Sequence, residues 1–477
     1  MEQLKHERHL WLAYSSECRL ASKEGPTPVQ EICIGKETTS PYSPFSLPLS
    51  ERRRHLYICG KPGTGKSTLI QNLVLQDIAS GIGCCVIDPH GDLVDDVLAS
   101  IPAQQTARVV VFDPSLSKRP IGINLLNAKN EIEQDSVVQF FLHLFETLYL
   151  REHQGPMFFQ AIRNGLVLLM DAGGTLAELP MLFFDKDFRK TCLAKARDPL
   201  VKRYWEQLFE KQGNLGNSDY LAYFTSKISH FIDDRTLRVV LSQKKGLEVS
   251  KIVKEGYVLL CDLSQGKIGQ LNSRLLGMLI LHLLERETLR RAQVRIDPNS
   301  LDRDRPLFNI YVDEFHEFFA LELNHILSSA RKYNVGVTLA TQHPDQIGAT
   351  CIESILANVA AHVVFRQGLP GAELLAELMQ PRFSSQDLLS LPDFEAIIKI
   401  TSGGTFNAPR RIVLLPKPRP LTPEHQNRLR SESSKRYGRN RRTIERELVR
   451  RVTLSSEIGN ENERKKSTSQ TVTESEK

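Results

Sequence analysis

The sequence predicts an α/β fold, in which a core with a mostly parallel sheet carries a helical insertion domain and a disordered basic C-terminal tail. Short apolar runs alternate with segments of helical periodicity over residues 55–125 and again over 251–416. Such alternation is typical of a parallel sheet whose two faces are covered by helices. In the intervening residues 126–250, apolar side chains recur three and four positions apart without a comparable strand run, which predicts an all-α domain.

The first 54 residues are predicted to form a partly irregular segment. Five prolines between residues 26 and 48 interrupt any long element, and Glu31–Gly35 is predicted as a single edge strand. The run Arg52-Arg53-Arg54 is most simply a solvated loop, and contact with DNA or phosphate is the alternative.

Most predicted strands of the core are followed by a polar residue. The predicted strands are Leu56–Cys59, Cys84–Ile87, Val109–Phe112, Tyr257–Cys261, Leu307–Val312, Val335–Ala340, Ala361–Phe365, Ala396–Ile400 and Arg411–Leu415. Helices are predicted between Leu69 and Gly81, where apolar residues recur at helical spacing, and over Asn272–Arg291. Ligands of open parallel sheets bind beyond the carboxyl ends of the strands, so the residues that follow the strands are candidates for a site.

A glycine-rich sequence after the first of these strands has the pattern of a phosphate-binding loop, or P-loop. Its candidate nucleotide-binding residues are Gly60, Lys61, Pro62, Gly63, Thr64, Gly65, Lys66, Ser67 and Thr68. Glycines allow successive N–H groups to converge on phosphate oxygens, and the dipole of the following helix favours an anion there. Lys66 is predicted to reach the outer phosphates, and Ser67 to be a ligand of Mg²⁺. ATP and Mg²⁺ are therefore the expected cofactors.

Asp313 and Glu314 end the predicted strand Leu307–Val312 and supply a second nucleotide signature. Asp313 is predicted to hold Mg²⁺ opposite Ser67, and Glu314 to activate the attacking water. Gln342, after the strand Val335–Ala340, is predicted to sense the γ-phosphate or that water. Together these residues predict hydrolysis of ATP, whereas an acidic turn after a strand is the alternative.

Two arginines and one further carboxylate complete the candidate site. Arg331 is predicted to act as an arginine finger on a neighbouring subunit, and Arg366 is the second candidate. The alternative for either arginine is a cation at a helix end or in a surface ion pair. Asp88 and His90 are predicted to contact the nucleotide or its metal shell, and a turn-forming Asp-Pro pair is the alternative for Asp88.

The composition favours a cytoplasmic protein. The chain of 477 residues is 41% hydrophobic and 25% charged, which is ordinary for a globular protein. No apolar run reaches the 18 residues of a membrane span, and the charged N-terminus lacks the apolar core of a signal peptide. The eight cysteines show no C-x-x-C spacing, which favours a reducing compartment and gives no metal site.

The positive charge is concentrated at the C-terminus. Residues 417–477 contain 16 Lys/Arg against 9 Asp/Glu, whereas the net charge of the whole chain is only +6. We predict a disordered basic arm that contacts DNA or an anionic membrane surface, with a solubilising tail as the alternative.

The ordered set of motifs resembles the FtsK/HerA superfamily of DNA-pumping ATPases, and most closely the TraG/TraD-type coupling proteins of conjugation and type IV secretion. The resemblance covers Leu56–Leu415 and rests on LYICGKPGTGKST, VIDPHGDLVDDV, GINLLN, IYVDEFHEFF, SSARKYNVGVTLATQHPDQI and NVAAHVVFRQG.

The resemblance implies a RecA-like P-loop motor core that works as a homo-hexameric ring and moves DNA, with the roles given above for the P-loop, the acid pair, Gln342 and Arg331. It also implies partners in the relaxosome or in the type IV secretion machinery. Coupling proteins generally begin with a membrane anchor, which this sequence does not show. We therefore expect a cytoplasmic protein, either unattached or held at the inner membrane by a partner.

Two other functions share these sequence features. One is a nucleotide-dependent adaptor, whose all-α domain would recognise a relaxosome or a protein substrate. The other is a type IV secretion ATPase that energises protein export, which differs from a DNA translocase only in its cargo.

Overall fold

The computed structural model describes residues 31–38, 43–116, 118–148, 155–209, 226–293, 305–318, 326–328, 330–347, 349–402 and 405–451. Most of the predicted N-terminal segment and residues 452–477 of the predicted tail lie outside these residues. Over the described ranges, no helix is both long enough and apolar enough to cross a membrane.

Twelve strands of one sheet lie within the described residues. Their bounds are β1 Glu31–Glu37, β2 Pro44–Pro48, β3 Leu56–Cys59, β4 Gly83–Asp88, β5 Val109–Phe112, β6 Val258–Asp262, β7 Phe308–Val312, β8 Val335–Thr341, β9 Ala361–Val364, β10 Glu395–Ser402, β11 Thr405–Phe406 and β12 Arg410–Leu414. All nine predicted core strands are confirmed, with ends that shift by no more than two residues.

The described residues also form the following α-helices. Their bounds are α1 Leu49–Arg52, α2 Lys66–Ala79, α3 Asp92–Ser100, α4 Glu131–Leu148, α5 Pro156–Ala172, α6 Met181–Phe184, α7 Lys186–Leu193, α8 Pro199–Arg203, α9 His230–Asp233, α10 Arg235–Leu241, α11 Val249–Lys254, α12 Gln265–Ile268, α13 Gln270–Gln293, α14 Ala349–Asn358, α15 Leu369–Met379, α16 Ser385–Ser390, α17 Pro423–Tyr437 and α18 441–451.

The sheet has a parallel centre and an antiparallel flank. Its order is β2-β1-β12-β10-β9-β3-β8-β7-β4-β6-β5, and β11 pairs with β10. The pairs among β9, β3, β8, β7, β4 and β6 are parallel, whereas β10, β12, β1 and β2 pair antiparallel. The mostly parallel sheet is therefore confirmed. The predicted edge strand at Glu31–Gly35 is correct as a strand but wrong as an edge, because β2 pairs with its outer side and has prolines at both ends.

The chain divides into two compact units. The first contains the described residues up to Val111, Val249–Gly266 and Ser273–Arg430, and its core is formed by apolar side chains of the sheet and of helices such as α2 and α3. The second contains Phe112–Glu248, Lys267–Asn272 and the residues from Ser431 onward, and it is helical. In the second unit, Trp205 is fully buried and makes edge contacts with Phe183 and Tyr204.

The described part of the predicted tail, 417–451, forms the two helices α17 and α18, contrary to the expectation of disorder. Helix α17 is anchored in the first unit by the buried Arg430, which donates hydrogen bonds to Asp95 at 2.5 Å and to Asp262 at 2.8 Å. In the second unit, Arg451, the last residue of α18, donates to Glu178 at 2.9 Å. Ion pairs to acidic residues far away in sequence fix these helices, and composition alone does not reveal them.

The arginine run predicted a solvated loop, but Arg52 is buried at the end of α1. Its guanidinium is buried and forms two hydrogen bonds with Asp77 of α2, at 2.5 and 3.1 Å. It also donates to the hydroxyl of Tyr311 in β7, and Tyr311 and Asn309 both donate to Asp77 Oδ2, at 2.6 and 2.8 Å. This network joins the helix that follows the P-loop to the strand that carries the acid pair.

We predict that Arg52→Ala lowers the free energy of unfolding of the first unit by about 3–5 kcal/mol, because it leaves the buried Asp77 carboxylate without its cation. Urea unfolding followed by circular dichroism measures the change. Arg419→Ala, at an exposed position of the same unit, is the matched control and should change the value by less than about 0.5 kcal/mol. Equal effects of the two substitutions would contradict a stabilising role for the network.

Candidate nucleotide site

The P-loop connects β3 to α2 in a conformation that requires glycine at two positions. Gly65 has a φ of +117°, a left-handed angle that side chains rarely adopt, and it stands directly before α2. A Cβ at Gly60 would lie 2.4 Å from Cβ of Phe365, so only glycine fits there. Thr64 Oγ1 donates to the carbonyl of Lys61 at 2.8 Å and closes the loop. Pro62, Gly63 and Ser67 are exposed, so the open side of the loop is accessible to a ligand.

Lys66 lies inside this loop. Its Nζ donates to the carbonyl oxygens of Gly60 at 2.7 Å and Lys61 at 3.2 Å. Burial lowers the pKa of Lys66, and the nearby carboxylates of Glu314 and Asp313 act in the opposite direction. Lys66 is therefore close enough for both members of the acid pair to affect its pKa, although about 250 residues separate the two motifs.

The acid pair follows β7 at the same edge of the sheet. Burial raises the pKa of Asp313 to about 7, helped by the charges of Asp88 and Glu314, while Lys66 acts to lower it. The Asp313 N–H donates to the carbonyl of Ile87 in the neighbouring β4 at 3.0 Å, which fixes the turn after β7. Glu314 has a φ of +43°, an uncommon angle for a residue other than glycine.

Gln342 directly contacts Glu314. Its Nε2 donates to Glu314 Oε1 at 2.8 Å, because β8 lies beside β7 and ends at the same edge. Among the residues that the structure describes, Glu314 Oε2 has no hydrogen-bond partner although it is buried. His316 Nδ1 lies 3.5 Å from this oxygen. Sequence reasoning missed His316, and its position two residues after the acid pair is the only signal that would have pointed to it.

These residues fit a magnesium-bound nucleoside triphosphate. Buried polar groups normally have partners, so the unsatisfied Glu314 oxygen indicates room for a further donor such as water. Asp88, Asp313 and Glu314 are buried, and the charges of Asp88 and Glu314 help to raise the pKa of Asp313, which favours an additional cation besides Lys66. The Ser67 hydroxyl and the Asp313 carboxylate are hard oxygen ligands of the kind that Mg²⁺ prefers.

Asp88 already has several hydrogen-bond partners in the protein. Its two carboxylate oxygens accept from the N–H groups of His90 at 2.8 Å and Val94 at 3.1 Å, across the turn that begins α3. Burial raises the pKa of Asp88, and these backbone donors oppose the rise. The geometry is that of the turn-forming alternative, and contacts of Asp88 and His90 with nucleotide or metal stay predictions.

The two candidate arginines lie at opposite ends of the sheet. Arg366 follows β9 beside the P-loop, where its carbonyl accepts from Lys61 N–H at 3.0 Å and its guanidinium pairs with Asp393 at 2.7 Å. Arg331 is exposed and precedes β8, and its charge helps burial to lower the pKa of His55 to about 4. His55 precedes β3, so Arg331 lies at the end of the sheet away from the P-loop of its own chain. The catalytic roles of both arginines stay predictions.

Comparisons with known proteins agree with this geometry. Residues 32–145 match the family model for the central domain of the helicase HerA. None of the curated proteins that were compared matches the chain.

Three solved structures share the fold. The plasmid coupling protein TrwB in complex with the non-hydrolysable ATP analogue ADPNP has a TM-score of 0.57 and 14% identity, over 84% of this chain and 93% of that chain. TrwB in complex with ADP and Mg²⁺ has a TM-score of 0.55 and 14% identity, over 84% of this chain and 93% of that chain. VirB4 of Thermoanaerobacter pseudethanolicus has a TM-score of 0.53 and 15% identity, over 84% of this chain and 99% of that chain. The chain therefore has the RecA-like P-loop fold of these proteins, as its sequence predicted.

The raised pKa of Asp313 predicts a pH-dependent cost in stability. Its pKa is about 7 in the folded state against an ordinary 3.8, so the stabilisation by its bound proton is complete below pH 3.8 and is lost as the pH rises through 7. Asp313→Asn cannot ionise, so at pH 8 in EDTA its free energy of unfolding should exceed that of wild type by a few kcal/mol. It should therefore unfold at a higher temperature than wild type.

Thermal unfolding between pH 5 and 8 tests this prediction. The advantage of Asp313→Asn should shrink towards pH 5, whereas Asp135→Asn, which removes an exposed carboxylate, should show no such trend. A constant difference between Asp313→Asn and wild type would show that the carboxylate does not titrate in this range.

Proposed function

We propose that this chain is an ATP-hydrolysing motor of the conjugation and type IV secretion type, and that it moves DNA. The observation that carries the proposal is the 2.8 Å hydrogen bond between Gln342 and Glu314, next to Asp313 and Lys66. It joins two residues that are predicted to act in hydrolysis and whose motifs lie far apart in the sequence.

Each residue then has a defined task. Lys66 and the N–H groups of the P-loop bind the phosphates, and Ser67 and Asp313 hold the metal. Bound Mg²⁺ would neutralise charge that develops on the phosphate oxygens. Glu314 accepts the proton of the attacking water, and its unsatisfied oxygen is the acceptor for that proton. Gln342 orients Glu314 and reports on the γ-phosphate through the same amide group.

Similarity to solved structures supports the biological setting. TrwB is described as a bacterial conjugative coupling protein, and one of its structures is a complex with an ATP analogue. We infer that the present chain also serves conjugation or type IV secretion, as a homo-hexameric ring with relaxosome or secretion partners. The position of Arg331 supports an oligomer, since this arginine is too far from the P-loop of its own chain to act there.

A type IV secretion ATPase that energises protein export is the second candidate. The similarity to VirB4, which covers 99% of that chain, favours it. The two functions share the nucleotide site and differ in cargo. DNA-stimulated turnover of ATP supports the translocase, and turnover that DNA leaves unchanged supports the export ATPase.

Helix α18 carries a surface that is suited to DNA. Arg442, Arg446 and Arg450 are exposed and recur every four residues, which places them on one face of the helix. Other basic residues of this region form ion pairs, such as Arg439 with Glu447. The prediction that the C-terminal region binds DNA therefore becomes more specific, and we infer that this arginine face contacts the phosphate backbone.

We predict that Lys66→Ala and Glu314→Gln separate binding from hydrolysis. Lys66→Ala should weaken ATP binding, because a phosphate-bound cation is lost. Glu314→Gln should bind ATP normally and hydrolyse it about 10²–10⁴-fold more slowly, as expected for loss of a general base. Steady-state ATPase rates and calorimetric titration with ATP measure both quantities, with and without DNA.

Glu317→Gln is the matched control, since it removes a neighbouring carboxylate that the mechanism does not use. It should hydrolyse ATP within about threefold of wild type. Normal turnover by Lys66→Ala would remove the P-loop from the mechanism, and normal turnover by Glu314→Gln would remove Glu314.

We predict that replacing Arg442, Arg446 and Arg450 with glutamine weakens DNA binding and its salt dependence. Each phosphate contact contributes about 0.9 to the slope of log K against log salt for duplex DNA, so the slope should fall by about 2–3. Fluorescence anisotropy with labelled DNA at several salt concentrations measures it. As a control, glutamine at Lys190, Lys195 and Lys202 removes three exposed charges elsewhere. An equal loss in both variants would indicate attraction by net charge rather than by this face.

A further inference from the structure

Phe394 is an exposed aromatic residue beside the P-loop, and the mechanism above does not use it. Its side chain is 48% exposed, although a ring of this size is normally buried. Its φ of +62° lies in the left-handed region, which is a genuine outlier for a bulky residue. Strained residues of this kind persist where the surroundings over-determine them, and they cluster at ligand sites.

The P-loop and β12 hold the backbone of Phe394 from two sides. Its N–H donates to the carbonyl of Thr64 at 2.9 Å, and its carbonyl accepts from Leu414 N–H at 2.9 Å. Atom Cδ1 of the ring lies 3.2 Å from the position that a Cβ on Gly65 would occupy. The ring therefore rests against the phosphate-binding loop while much of its surface faces solvent.

The sheet order shows which end of a nucleotide would reach this ring. The acid pair and Gln342 follow β7 and β8, on one side of the P-loop strand β3, so the γ-phosphate points to that side. On the other side of β3 lie β9 and β10, and Phe394 stands directly before β10. The base at the opposite end of the nucleotide is therefore directed towards the side that carries Phe394.

We propose that Phe394 is the stacking platform for the purine base of the bound nucleotide. The inference rests on the proposed function, because it requires the triphosphate to occupy the P-loop. An exposed aromatic face whose backbone is fixed on both sides is pre-organised for a base, since every purine has a complementary π-face. The energy of such stacking corresponds to about tenfold or more in affinity.

Two substitutions at Phe394 and two ligands test the proposal. Phe394→Asn removes the ring and keeps a residue that tolerates left-handed backbone, so folding should be retained. Phe394→Trp keeps a stacking face and adds a fluorophore. Binding of Mg-ATP and of inorganic Mg-tripolyphosphate, which has no base, is measured by calorimetry for each variant and for wild type.

Phe394→Asn should bind ATP about tenfold more weakly and bind tripolyphosphate within twofold of wild type. Phe394→Trp should keep the ATP affinity of wild type. Binding of ATP should change the tryptophan fluorescence of this variant more than that of wild type, whereas binding of tripolyphosphate should not. Val413→Ala, which removes another exposed apolar side chain, is the matched control and should leave the affinity for both ligands unchanged.

Three outcomes would overturn the proposal. Unchanged ATP affinity of Phe394→Asn would exclude stacking. An equal loss for ATP and tripolyphosphate would show that Phe394 only shapes the P-loop. A change in particle mass without a selective loss of ATP affinity would show that the ring contacts a second copy of the chain. Lys66→Ala separates this result from the proposed function, because it should weaken both ligands whether or not Phe394 stacks on the base.

Discussion

The parallel pairing of β8 between β3 and β7 is the constraint on which the candidate site depends. Leu56 of β3 pairs with Thr338, and Ile310 of β7 pairs with Val337, so the three strands end at the same edge. This register brings the P-loop, Gln342 and the acid pair together without any direct pairing between β3 and β7. A shift of one residue in β8 would turn its side chains to the other face of the sheet and remove Gln342 from Glu314.

The charge of the site balances only partly within the protein. Asp88, Asp313 and Glu314 are buried near one buried lysine, and the pKa of Asp313 rises to about 7 as a result. Buried carboxylates that repel one another cost stability, and ionisable groups perturbed in this way cluster at functional sites. The Arg52 network offers a contrast, because there the carboxylate of Asp77 is fully paired and hydrogen-bonded. In the proposed function the first cluster receives a ligand, whereas the second cluster connects α2 to β7.

Local sequence predicted the parallel centre of the sheet well and its surroundings less well. Strands such as Leu56–Cys59 are buried on both faces and are therefore continuous apolar runs, which are easy to recognise. Strand β2 was missed because its two prolines are read as breaks, although an edge strand tolerates them. The burial of Arg52 and the anchoring of α17 and α18 depend on acidic partners distant in sequence. The exposed position of Phe394 likewise follows from β10 and β12, whose pairing no local pattern reveals.

Strand β8 also separates two residues that the sequence assigned to the same reaction. Gln342 follows the carboxyl end of β8, and Arg331 precedes its amino end, with a strand of seven residues between them. At about 3.3 Å per residue, this strand alone spans about 20 Å, which is more than an arginine side chain can reach. If both residues act on a γ-phosphate, they must act on those of different molecules. Each copy of the chain would then sense one nucleotide at one end of β8 and complete the site of a neighbour at the other end.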